Sequence, residues 1–140
     1  MNDIDALISK AYALSKLGRY EEVAEYCDKV LAINRNHTDA LHGKGFSLAK
    51  LGRREEAIEY YDKVLAIDEN HTYALHNKGV ALGDLGRHEE AIKCYDKALK
   101  IDRDYTYALS GKGLALRHLG RHEEAEKITK KLDELRRNKK

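Results

Sequence analysis

The stretch Leu51-Gly52-Arg53-Arg54-Glu55-Glu56-Ala57-Ile58 decides the fold, because its Gly-Arg pair returns as Gly18-Arg19, Gly86-Arg87 and Gly120-Arg121, always 34 residues apart. One unit is written four times. Aligning residues 38–71 with 72–105 leaves 20 of 34 positions identical, including Ala-Leu-His near the start of each unit. Upstream of Gly52, the residues Leu41, Gly45, Leu48 and Leu51 recur at helical spacing, and downstream Ala57, Ile58, Tyr61, Val64 and Leu65 do the same. Each unit therefore predicts two amphipathic helices. Gly52 ends the first, since it can take the left-handed conformation of a helix stop, and Glu55-Glu56 suit the positive end of the next dipole. The second break, Asp68-Glu69-Asn70-His71-Thr72, offers polar side chains that can cap the following helix, and residues 34–38 and 102–106 repeat it.

Composition agrees with an all-α chain. Over 140 residues there is no Pro and no Trp, and residues that lose little on entering a helix dominate. Charged residues make up 36% and apolar ones 42%, the balance of a thin core with much surface. Net charge is +2, with Lys+Arg against Asp+Glu at 18 to 19 over residues 1–120 and 8 to 5 over residues 121–140, so the basic excess sits in the tail. No apolar run is long enough to cross a bilayer, and the start, Met1 to Asp5, lacks the regions of a signal peptide, so a cytoplasmic protein is expected. Cys27 and Cys94 stand in no metal spacing and are expected to be reduced, buried and inert.

These residues resemble the tetratricopeptide repeats, from Ile4 to about Leu135. With units counted from Ile4, Thr38, Thr72 and Thr106, the family's large residue at the fourth position is Leu7, Leu41, Leu75 and Leu109, and its small residue at the eighth is Ala11, Gly45, Gly79 and Gly113. The small twentieth position holds Val23, Ala57, Ala91 and Ala125, and the bulky twenty-fourth holds Cys27, Tyr61, Tyr95 and Thr129. The resemblance implies a right-handed superhelical α-solenoid of eight helices in one array, with repeats over about 4–37, 38–71, 72–105 and 106–139. Two departures stand out. The proline that the family carries near the end of each unit is replaced by Arg35, Glu69 and Arg103, so looser joints are expected, and Lys10, Lys44, Lys78 and Lys112 occupy a position that is commonly apolar. Their stems are expected to lie on neighbours with the ammonium groups in water.

In the last unit Glu126 and Asp133 replace Ile58 or Ile92 and Leu65 or Leu99, so its second helix is expected to cap the array. No such cap is evident in the first helix, which is expected to fray and could accept a partner or a second copy of the chain.

In this family the first helices line a concave groove. Carried over by position, the groove residues are Tyr12, Phe46, Val80 and Leu114, with Ile8, His42, His76 and Ser110, and with Tyr73 and Tyr107 at its edge. The resemblance implies a scaffold or adaptor that holds a peptide or helix of a partner protein, with Tyr12, His42, Phe46, Tyr73, His76, Val80, Tyr107 and Leu114 as its site. Phe46 and Val80 also suit simple packing between first helices. The family subtype that grips carboxylate ends of chaperone tails uses Lys, Asn and Arg where this chain has Ile8, Tyr12, Phe46, His76 and Val80, so that partner is not expected. Self-assembly is the alternative, and nucleic-acid binding through Arg136 to Lys140 a weaker one, since no aromatic residues interleave with those cations. No nucleophile beside a base, phosphate-cradling glycine loop or metal set is present, so no enzyme, cofactor or metal site is expected. His118 and His122 are separated by the helix-breaking Gly120, and His88 and His122 stand where Tyr20 does, a ring in place of a ring. His42 and His76 are expected to raise the groove's charge below about pH 6.5.

Overall fold

The computed structural model describes residues 3–139, so Met1 and Asn2 at the start, and Lys140 at the end of the basic tail, lie outside the described residues. Among the described residues there are eight helices and no strand: α1 Asp3–Lys16, α2 Tyr20–Ile33, α3 Thr38–Lys50, α4 Arg54–Ile67, α5 Thr72–Asp84, α6 His88–Ile101, α7 Thr106–His118 and α8 His122–Arg137. The chain divides into two compact units that meet between Glu69 and Asn70. In the first, α1 packs on α2, α2 on α3 and α3 on α4; in the second, α5 packs on α6, α6 on α7 and α7 on α8, with α5 also touching α7.

The turn inside each helix pair follows from glycine. Gly52 has φ +85°, and Gly18, Gly86 and Gly120 share that left-handed conformation. Around Gly52 the Arg53 amide donates to the Leu48 carbonyl at 2.8 Å and the Gly52 amide to the Ala49 carbonyl at 3.0 Å, which satisfies carbonyls that the end of α3 would leave bare. The next helix is started by a side-chain pair: Arg53 donates from Nε and NH2 to the two carboxylate oxygens of Glu56 at 2.8 and 2.7 Å, and Arg87–Glu90 and Arg121–Glu124 repeat the arrangement. That hydrogen bond, before the charge itself, holds the carboxyls of Glu56, Glu90 and Glu124 below the ordinary glutamate range.

Where the family would place proline, polar side chains shape the break. Asn34 Oδ1 accepts from the Asn36 amide and Asp102 Oδ1 from the Asp104 amide, each at 3.1 Å. Histidine then caps the helix that follows, with Nδ1 of His37 accepting from the Ala40 amide at 3.3 Å and Nδ1 of His71 from the Ala74 amide at 3.0 Å. Tyr105, at the same place before α7, makes no such bond.

Packing within each unit rests on small residues facing large ones. In the first unit Ala11, Leu14, Val23, Cys27, Val30 and Ala40 form one buried cluster. In the second, Ile92, Ala115, Leu116 and Ala125 form another, with Leu119 and Ile128 against it. Glu126 and Asp133 of α8 are exposed, and Ala125 is the helix's one buried residue.

Two of the four lysines, Lys44 and Lys112, differ from expectation. The ammonium of Lys44 is not in open water but within 2.8 and 2.7 Å of the two Asp28 oxygens, on the second helix of the preceding pair. Lys112 meets Asp96 in the same way at 2.6 Å. An aspartate placed on the neighbouring helix draws in the head group of a stem that already lies along that surface.

Candidate functional site

In the first unit the three expected groove residues have separate surroundings. Tyr12 of α1 is exposed, with the Lys16 ammonium 4.6 Å from its ring centre. Phe46 of α3 is half-buried against the edge of Tyr20, their centroids 6.0 Å apart, and the Lys50 ammonium lies 5.3 Å from its ring. His42 is half-buried against Tyr61 at 5.7 Å. Packing thus takes up much of Phe46 and His42, while Tyr12 stays open.

The second unit gathers its expected residues around one cleft of about 270 Å³. His76, Val80 and Asp84 come from α5, His88 and Tyr95 from α6, and Tyr107, Ser110, Leu114 and His118 from α7. Tyr107 and Leu114 are 61% and 56% exposed, and Val80 is also open. Helical spacing explains the convergence, since positions four and seven apart share a face and α5 touches α7 along it.

Beside the cleft, His76 is the hub of a ring cluster, with centroids 5.6 Å from Tyr107, 6.0 Å from Tyr95 and 6.1 Å from Tyr105. Tyr105 lies 5.7 Å from Tyr107 and 6.2 Å from Tyr73, so the expected edge residue Tyr73 joins the cluster through it. Burial pushes the Tyr105 phenol up to about 12, with the neighbouring tyrosines adding to the effect. Burial also pushes Tyr95 well above the ordinary phenol range. His76 moves the other way, its imidazole held below the usual value by burial, so it resists the protonation that was expected to charge the groove.

Residues that position-by-position reasoning missed are Asp84, His88, Tyr95, Tyr105 and His118. His88 and His118 stack face to face, with centroids 4.5 Å apart and planes 3° apart. In the first unit the equivalent of His88 is Tyr20, which meets Phe46 instead, so the ring is retained and its partner changes. Tyr95 is a core residue whose ring passes close against Gly111, leaving no room for a side chain there, and one edge faces the cleft. No sequence signal marks it: glycine follows at 111 and 43 after Tyr95 and Cys27, but Asn77 stands at the same place after Tyr61.

Cys27 is buried, and burial, aided by Asp28, raises its thiol to about 11, which keeps it protonated and unreactive. His118 ends α7 and His122 begins α8, with Gly120 between them at φ +76°. Among the described residues no three His, Cys, Asp or Glu side chains group at metal-holding distance, and no helix is long and apolar enough to cross a membrane.

Helix pairs with left-handed glycine turns, small-on-large packing and an open ring-lined face define a helical repeat scaffold of the kind that mediates protein–protein interactions. Tetratricopeptide repeat profiles match residues 4–37, 36–104 and 76–136, and the chain belongs to the tetratricopeptide repeat family. No curated protein matches. Among solved structures, it is similar to "MamA 41-end" from Desulfovibrio magneticus RS-1, at 26% identity and a TM-score of 0.90, over 97% of this chain and 77% of that one. It is also similar to a MamA RS-1 ArsTM double mutant, at 26% identity and a TM-score of 0.89, over 98% and 77% of the two chains. A further MamA crystal structure, at 22% identity and a TM-score of 0.91 over 99% and 81%, shares the all-α tetratricopeptide-type solenoid fold.

Proposed function

We propose that this chain is a non-enzymatic adaptor or scaffold of the cytoplasm that holds a peptide or helix of a partner protein on the face formed by its first helices. The observation that carries the reading is the set of open apolar and aromatic side chains around His76: Tyr73, Val80, Tyr107 and Leu114 are all exposed. Side chains of this kind in one patch cost solubility unless something covers them, and aromatic anchors supply much of the binding energy at interfaces. Tyr12, His42 and Phe46 are proposed as the first unit's contribution, with Tyr12 the most available. The four helix pairs are proposed to act as one array, with α8 as its terminal cap.

A pull-down with the full chain as bait tests this, run beside a helicity-checked variant carrying Phe46→Ala, His76→Ala and Tyr107→Ala. A protein kept by the parent and lost by the folded variant supports the groove. Equal retention puts binding on another face and sinks the assignment.

A further inference from the structure

Equivalent positions of the two units stand 68 residues apart, and the cleft of the second unit opens where its side chains are the smaller ones. Tyr12, Ser15, Val23 and Phe46 of the first unit correspond to Val80, Gly83, Ala91 and Leu114 of the second, and those four line the cleft. A Cβ on Gly83 would meet nothing within 4 Å, so the wall is open there. In the first unit the Phe46 ring lies against Tyr20, with centroids 6.0 Å apart. In the second, His88 stands in place of Tyr20 and Leu114 in place of Phe46, with Leu114 56% exposed. Elsewhere the wall gains rings, since Tyr95 stands where Cys27 does and Tyr107 where Asp39 does. The second unit thus has ring-bearing walls and lacks the one ring that the first unit supplies to itself. A volume of about 270 Å³ lies below the range of drug-sized pockets, which suits a single side chain.

We propose that this cleft takes one aromatic side chain of a partner peptide, lying over Leu114 and beside His88 as Phe46 lies beside Tyr20. The proposal rests on the groove reading and deepens it. Val80, Ala91 and Leu114 offer apolar area for the ring to cover, and the rings of His88 and Tyr95 add the attraction that aromatic pairs have beyond area alone. A neutral imidazole meets an aryl ring by ring contact and a charged one by cation–π attraction, so the fit does not depend on the protonation of His88 or on the charge of Asp84. Leucine would cover less of the wall and gain no ring contact.

The probes are the blocked peptide Ac-Gly-Ser-Phe-Ser-Gly-NH2 and its counterparts with leucine or alanine at the centre, titrated into the full chain while the amide signals of Gly83 and Gly111 are followed by NMR. The expected result is binding of the phenylalanine peptide about tenfold tighter than the alanine one, with the leucine peptide between them. Leu114→Phe gives the second unit the ring that Phe46 gives the first, at an exposed position where the fold is checked by circular dichroism. In that variant the phenylalanine peptide should bind about tenfold more weakly, because the place is taken. Equal binding of the phenylalanine and leucine peptides, or undiminished binding of the phenylalanine peptide to Leu114→Phe, overturns the proposal. If the three peptides bind alike and all are lost in Tyr107→Ala, the aromatic pocket falls while the groove stands. If none moves either glycine signal at millimolar concentration, the pocket falls and the pull-down alone decides the groove.

Discussion

Gly79 of α5 faces the ring of Tyr95 in α6 so closely that a Cβ on Gly79 would lie 2.6 Å from Cε1 and 2.8 Å from Cζ. The ring is nearly fully buried, and Gly111 of α7 packs against it as well. Alanine in place of a mid-helix glycine ordinarily gains about 1 kcal/mol, but overpacking a filled core costs about 1–3 kcal/mol. Gly79→Ala should therefore destabilise by about 1 kcal/mol. A Cβ on the equivalent Gly113 would lie 3.4 Å from Ile128 Cγ2, an ordinary van der Waals contact, because its repeat carries Thr129 where Tyr95 stands. Gly113→Ala should stabilise by about 0.5–1 kcal/mol. Urea unfolding of the two variants checks the pair, and effects of the same sign would contradict the packing argument.

Ser47 is completely buried in α3, and its hydroxyl has no hydrogen-bond partner. The other three repeats carry Ala13, Ala81 and Ala115 at that place. An unmet buried hydroxyl costs about 1–3 kcal/mol, and alanine is the better helix former. Ser47→Ala should raise stability by about 1 kcal/mol, visible as a higher urea midpoint with unchanged slope. A lower midpoint would mean that the hydroxyl has a structural partner after all.

The helix pairs were legible in the sequence because their causes are local and repeated: Gly52 and its copies stop helices, and Gly45 with Tyr61 sets small against large. What escaped is what depends on direction. Spacing marked Lys44 as a long stem, but only the placement of Asp28 on the preceding helix says where its ammonium goes. Likewise the groove positions named Val80, Tyr107 and Leu114, while Asp84 and Tyr95 enter the same cleft from a helix end and from the core. Sequence position assigns a face, whereas a cleft is made by the side chains of three helices together.

The Lys44–Asp28 pair offers a direct measure of what ties the first two helix pairs. The lysine side chain is 16% exposed and the aspartate 52%, so solvent screens the pair and a coupling of about 0.5 kcal/mol is expected. A double-mutant cycle with Lys44→Met and Asp28→Asn should give that value at low salt and less at 1 M NaCl. A cycle that shows no coupling at low salt would mean that the stem's packing, which methionine keeps, carries the contact.

His76 ties the ring cluster to pH. Its imidazole is held below its ordinary 6.5 chiefly by burial, with a hydrogen bond involving Asn77 working in the opposite direction. The unfolded chain therefore binds this proton more readily than the folded one, and stability rises with pH wherever that holds. The contribution is complete above about pH 6.5 and is lost as pH falls from there toward the folded value, below which it levels off. His76→Phe keeps a ring beside Tyr95, Tyr105 and Tyr107 and removes the titrating group, so its unfolding free energy should lose less than the parent's between pH 7 and pH 5. Urea unfolding at half-unit steps, with an NMR titration of the His76 ring in the parent, makes the comparison. Parallel pH profiles for the two proteins, or a His76 that titrates at or above 6.5, would show that water reaches the imidazole and that the cluster is more open than its geometry implies.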